Sequence, residues 1–155
     1  MKSYLSAFIL ILVFTSCLNN ESTEYDIPDY DALNEIEIQE YIAANNLNPE
    51  KSDSGLYYII KEEGVGVSPS LTSDVTVYYK GYTTDGNVFD ESPIEGVDFN
   101  LSQLISGFSE GITYLKPDGE ATLIIPSKIG YPFYSYSDLA GEVVLFDVKL
   151  IAVTN

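Results

Sequence analysis

Val75-Thr76-Val77-Tyr78-Tyr79-Lys80 alternates so that Val75, Val77 and Tyr79 fall on one face of an extended chain, with Tyr79 directed to the core side. β-branched and aromatic residues fill the run, which therefore reads as a strand. Towards the C-terminus, Asp85-Gly86 marks a turn leading into Val88-Phe89-Asp90, and Val97, Phe99 and Leu101 alternate again. Ala121 to Ile125 forms a further apolar run that stops at Pro126, and the last strand places Val144, Phe146, Val148 and Leu150 on one face. Towards the N-terminus, Leu56 to Ile60 is another strand. One short helix interrupts them near Ser106 to Leu115, where Phe108, Ile112 and Leu115 recur at i, i+4, i+7 and Gly107 and Gly111 permit close backbone approach. The pattern predicts an α+β fold: a twisted antiparallel sheet of five to six strands wrapped around one short helix.

At 155 residues, with 45% hydrophobic and 13% aromatic side chains, the chain has material for one domain of this kind. Its charge is lopsided: 24 acids face 7 lysines, with no arginine or histidine, for a net −17. Phosphate neutralisation needs clustered cations, so nucleic acid is a poor partner. Without histidine, a histidine-based triad, an imidazole general base and a His-ligated zinc are all excluded. Glu35, Glu37 and Glu40 read as a solvated face, since no Asp-x-Asp-x-Asp-Gly loop supports calcium and no metal site is expected. The acidity favours solubility and basic clients.

The N-terminus reads as an address. Lys2 precedes a 13-residue apolar run, Tyr4 to Ser16. A spanning helix needs about 20 residues, so this length suits a secretory signal better. Phe14-Thr15-Ser16-Cys17 resembles a bacterial lipobox, implying cleavage of a signal peptide at 1–16 and lipidation of Cys17, the single cysteine. A plain signal peptide with an incidental cysteine, or a buried N-terminal strand, stays open. By the same resemblance, Leu18 in place of an aspartate implies the bacterial outer membrane as the expected destination of the lipid anchor within the cell envelope. Residues 17–30 read as an acidic flexible tether. Residues 31–54 read as a peripheral helix and linker, with Asp31 as N-cap, an apolar stripe of Ile38, Tyr41 and Ile42, and Leu33 and Ile36 off that stripe. Residues 55–155 form the main domain.

Within that domain, Tyr79-Lys80-Gly81, Asp85-Gly86, Phe89-Asp90 with Ser92, Phe99 with Leu101, and Leu104-Ile105-Ser106-Gly107 with Glu110-Gly111 follow in order. Leu115, Gly119, Pro126, Tyr131 and Leu145-Phe146-Asp147-Val148 continue the series. This ordered set, from Leu56 to Ile151, resembles the FKBP-type peptidyl-prolyl cis-trans isomerases. The resemblance implies catalysis of X-Pro rotation without a cofactor, on proline-containing segments of unfolded or secreted proteins, and makes a macrolide a candidate ligand.

The resemblance assigns a proline pocket to Tyr79, Phe89, Phe99, Leu104, Ile105, Phe108 and Phe146, with Phe108 replacing the usual tryptophan floor. It gives Asp90 the pocket edge, Tyr131 a hydroxyl donated to a substrate carbonyl, and Ile105 a backbone N–H for the same use. On residue type alone, the pocket set would be the core of any β-rich domain, Asp90 a turn-capping carboxylate and Tyr131 a packing residue. The loop from Pro126 to Gly141 departs from the family, carrying Tyr131-Pro132-Phe133-Tyr134-Ser135-Tyr136 where an Ile-Pro-Pro-like segment is usual. Its extra aromatics are expected to cover the pocket or enlarge its rim. Two functions remain: an isomerase assisting envelope protein folding, or a catalytically weak peptide-binding chaperone or assembly subunit of an envelope machine.

Overall fold

The computed structural model describes residues 28–154. The signal peptide 1–16, Cys17 and most of the tether lie outside them. Helix α1 spans Tyr30–Ala44. Seven strands follow: β1 (Glu50–Lys51), β2 (Tyr57–Glu62), β3 (Asp74–Thr83), β4 (Val88–Glu91), β5 (Val97–Asn100), β6 (Glu120–Ile125) and β7 (Val144–Val153). Helix α2, Ser106–Thr113, lies between β5 and β6. The sheet is antiparallel in the order β1-β2-β6-β7-β3-β4, with β5 also pairing with β3.

The strand count exceeds the expected five to six because the two-residue β1 pairs Glu50 with Tyr58, too short a segment for any alternation to show. The sheet thus begins before residue 55. Alternation elsewhere is obeyed. Val75 and Val77 of β3, Leu123 and Ile125 of β6, and Val144, Phe146, Val148 and Leu150 of β7 pack with Phe108, Ile112 and Leu115 into one core. The helix fits because Gly107 and Gly111 face the sheet: a Cβ would stand 2.7 Å from Ile125 and 2.5 Å from Leu123, respectively.

β6 is buried almost throughout, which a sheet with one wet face would not produce. The second cover is α1. Its Ile38 is wholly buried with Tyr57, Ile124, Val143 and Leu145, and Tyr41 and Ile42 pack beside them, whereas Leu33 and Ile36 are exposed. The Tyr57 hydroxyl donates to Glu35 at 2.6 Å, and Lys51 pairs with the same carboxylate at 3.0 Å. These contacts hold the Glu35 carboxyl below its ordinary range, the Tyr57 hydrogen bond contributing most. The N-cap is Asp29, which accepts the Ala32 N–H at 3.2 Å, and not Asp31, which lies in the first turn. Both carry a carboxylate in the right neighbourhood, so composition alone did not separate them.

Candidate functional site

A cavity of about 260 Å³ opens between α2 and the sheet, lined by Tyr79, Asp90, Phe99, Gln103, Leu104, Ile105, Phe108, Tyr131 and Phe146. Its walls are aromatic. Tyr79 stands 5.9 Å from Phe99 and 6.1 Å, edge-on, from Phe108, and Phe108 meets Phe146 edge-on at 5.1 Å. Edge-to-face contacts at these separations suit ring quadrupoles and fix each ring against its neighbour. Phe108 is buried on α2 and meets both Tyr79 and Phe146.

Tyr79 is held by both ends. Its backbone N–H donates to the Ser92 hydroxyl at 3.1 Å and its carbonyl accepts the Ser92 N–H at 3.0 Å, while its own hydroxyl donates to Asp90 at 2.7 Å. Burial, and then the Asp90 hydrogen bond and charge, push the Tyr79 phenol up to about 12. Tyr131 is also raised, by burial and then by the Asp90 charge. Both phenols are therefore protonated donors at neutral pH. The Tyr79 hydroxyl already donates its hydrogen bond to Asp90, but the Tyr131 hydroxyl has no partner among the described residues.

Ile105 caps α2 from an extended conformation after a tight 3₁₀ turn at Leu101–Gln103. Its carbonyl accepts the Ser109 N–H, while its own N–H finds no acceptor among the described residues. The cavity thus combines aromatic walls, one carboxylate engaged by Tyr79, and two free donors on Ile105 and Tyr131.

Residues 66–151 match the family model of the FKBP-type peptidyl-prolyl cis-trans isomerases. The chain belongs to this family. Over 104 residues it is 44% identical to a probable FKBP-type isomerase, FkpA, of Neisseria meningitidis, covering 64% of this chain and 38% of that protein. The crystal structure of FkpA from Escherichia coli superposes with a TM-score of 0.71 at 32% identity, over 79% of this chain and 60% of that one. A peptidyl-prolyl isomerase from Pseudomonas syringae gives 0.69 at 26% identity, over 84% and 98%. The chain spans about half or less of the curated relatives it matches.

In this FKBP domain, six of the seven residues expected in the pocket wall line the cavity, together with Asp90 and Tyr131. Phe89 does not. Its ring meets the lining residue Phe146 edge-on at 5.5 Å. Gln103 joins the lining unforeseen, since a polar residue in a short turn carries no periodic signal. The extra loop aromatics Phe133, Tyr134 and Tyr136 are not among the residues lining the cavity. Phe133 turns away and stacks on Tyr30 of α1, with centroids 5.2 Å apart and planes within 4°, while Tyr134 and Tyr136 face solvent. Pro132 and the hydrogen bond from the Gly141 N–H to the Tyr131 carbonyl, 2.9 Å, fold the segment back on itself outside the cavity.

Proposed function

We propose that this chain is a peptidyl-prolyl cis-trans isomerase that accepts proline-containing segments of unfolded or secreted proteins in the aromatic cavity. One observation carries the reading: two unpartnered donors, the Tyr131 hydroxyl and the Ile105 N–H, belong to the lining of a cavity otherwise walled by rings. Rotation about X-Pro breaks no bond, but amide resonance sets a barrier of about 18–20 kcal/mol. As the amide twists, it loses conjugation and charge separation, so an apolar, water-poor cavity favours the twisted form over the planar one. The proline ring packs among Tyr79, Phe99, Phe108 and Phe146. Ile105 and Tyr131 donate to substrate carbonyls and hold the flanking chain while the amide turns. Asp90 fixes Tyr79 and sits at the edge of the cavity.

Phe108 favours a second reading, in which peptides bind but turn over slowly, because a phenylalanine fills less of the floor than the indole usual in the family. A protease-coupled assay on X-Pro peptides separates the two. Acceleration above the uncatalysed rate supports the isomerase. Saturable binding at the uncatalysed rate supports the chaperone or assembly-subunit reading.

We propose further that the protein acts in the bacterial envelope, tethered to the outer membrane through lipidated Cys17 after removal of residues 1–16. The support is the apolar run ending in the single cysteine, followed by Leu18. Mass spectrometry of the native protein should find acyl chains on Cys17. An unmodified thiol would overturn the anchor.

A further inference from the structure

Asn34 is a polar residue on the apolar face of α1, only 2% exposed and one turn before the buried Ile38. Asparagine is a poor helix former, and burying its carboxamide is unfavourable unless both ends are bonded. Here both are. Its Oδ1 accepts the Ser127 N–H at 2.7 Å, and its Nδ2 donates to the Gly141 carbonyl at 3.0 Å.

Ser127 and Gly141 are the two ends of the loop that carries Tyr131. The Gly141 N–H in turn donates to the Tyr131 carbonyl, so Asn34 reaches the Tyr131 backbone through one residue. Tyr30, one turn before Asn34 on the same face, adds two contacts. Its ring stacks on Phe133, and it lies so close to Gly141 that a Cβ there would meet it at 2.5 Å. Gly141 also has φ +87°, so glycine is required on both counts. From the far side, the Ser106 hydroxyl of α2 donates to the Ile129 carbonyl at 3.2 Å. The Tyr131 hydroxyl has no bond of its own among the described residues, so the loop backbone sets where it stands.

We infer that α1 is a brace for the Tyr131 loop and that Asn34 is the positioning residue through which it acts. The inference rests on the isomerase reading for its kinetic consequence, but not for its structural one. In a sheet fold of this kind a helix on the outer face could be a mere cover. The side chains of this one instead bond both ends of the segment that delivers a donor to the cavity. Of the aromatics peculiar to this loop, Phe133 is used for docking onto α1.

The test is a double-mutant cycle on the full chain with N34A, Y131F and the double variant. Misplacing a positioned donor by about 1 Å can lower rates up to about a hundredfold, so N34A should lower kcat/KM on the order of tenfold, mainly through kcat. In the Y131F background N34A should lower it little further. An equal loss in both backgrounds, or no loss, would overturn the inference. Amide hydrogen exchange supplies the structural readout. N34A should speed exchange across 127–141 while β6, β7 and α2 stay protected. Should N34A raise exchange everywhere, Y30L decides: faster exchange confined to 127–141 supports the brace, and unchanged exchange there overturns it. Wild-type protein without turnover would sink the isomerase reading alone; exchange at 127–141 would then decide the brace.

Discussion

Gly81→Ala joins the fold to the cavity. Gly81 lies on β3 opposite Phe146 of β7 and Asp90 of β4. A Cβ there would stand 2.6 and 2.7 Å from the Phe89 ring and 2.8 Å from Phe146. Carbon atoms pack at about 3.5–4.0 Å, so the rings must withdraw by roughly 1 Å. Phe146 has little room to do so, with Phe108 at 5.1 Å and Tyr79 at 6.2 Å. Over-packing of this kind costs about 1–3 kcal/mol. Removing a glycine from a strand interior offsets about 0.5–1 kcal/mol of that. The expected net destabilisation lies between about 0 and 2.5 kcal/mol and centres on about 1 kcal/mol, a fall in melting temperature of roughly 3–6 °C at that centre. Because Phe146 is cavity wall, KM for an X-Pro peptide should rise more than kcat falls. Gly86→Ala is the control: φ is +86° but nothing lies within 4 Å, so it should lose about 1 kcal/mol to backbone strain and leave KM unchanged. Calorimetry and the coupled assay read both variants. Wild-type Tm and KM in Gly81→Ala, or equal KM changes in the two variants, would refute the packing argument.

Tyr131→Phe removes a hydroxyl with no partner among the described residues, so activity should drop about tenfold or more, as for a lost transition-state donor, while the urea midpoint stays within error. Phe108→Trp places an indole in the lining of a cavity of about 260 Å³ in a chain without tryptophan; if Phe108 is the floor, peptide affinity should rise, and the new fluorescence should report binding directly. Affinity unchanged or lowered would show that Phe108 is not the floor. Burial acts to raise the Asp147 pKa, but hydrogen bonds from Lys61 at 2.8 Å and from Thr122 outweigh it and hold the carboxyl below its usual range. Since the folded pKa lies below the unfolded value of about 3.9, this group contributes stability above that value and loses it as pH falls through the folded pKa; Asp147→Asn should flatten that part of the acid limb in pH-dependent urea unfolding.

Side chains that repeat with a period were legible in the sequence, and those that act by reach were not. Val75, Val77 and Tyr79 declare their face by alternation, and Phe108, Ile112 and Leu115 declare theirs by helical spacing, so sheet and helix follow; the cavity wall came from the family resemblance, since periodicity marks its residues only as core. Phe89 has the residue type of a wall but is not among the lining residues and packs edge-on against Phe146, a distinction of a few ångströms that no pattern encodes. β1 is too short to alternate. Asn34 lies one turn before the apolar stripe of Ile38, Tyr41 and Ile42, and nothing in that spacing marks its carboxamide as buried against two backbone groups far away in sequence.

That last case bears on how the divergent loop should be understood. Outer-face residues Ile124 and Leu145 are fully buried, on the side of the sheet where an antiparallel protein commonly meets water. They require a cover, and α1 supplies it with Ile38. Once α1 is fixed there, Tyr30 and Asn34 project from its first half towards the segment between β6 and β7. Phe133, Gly141 and Ser127 are the groups that receive them. The loop therefore departs from the family pattern on the side turned to α1, while Tyr131 remains at the cavity. Extra aromatics in a flap near a binding site suggest new substrate contacts when read along the chain. In three dimensions Phe133 is half of an intramolecular stack, and its partner lies on a helix outside the matched region 66–151.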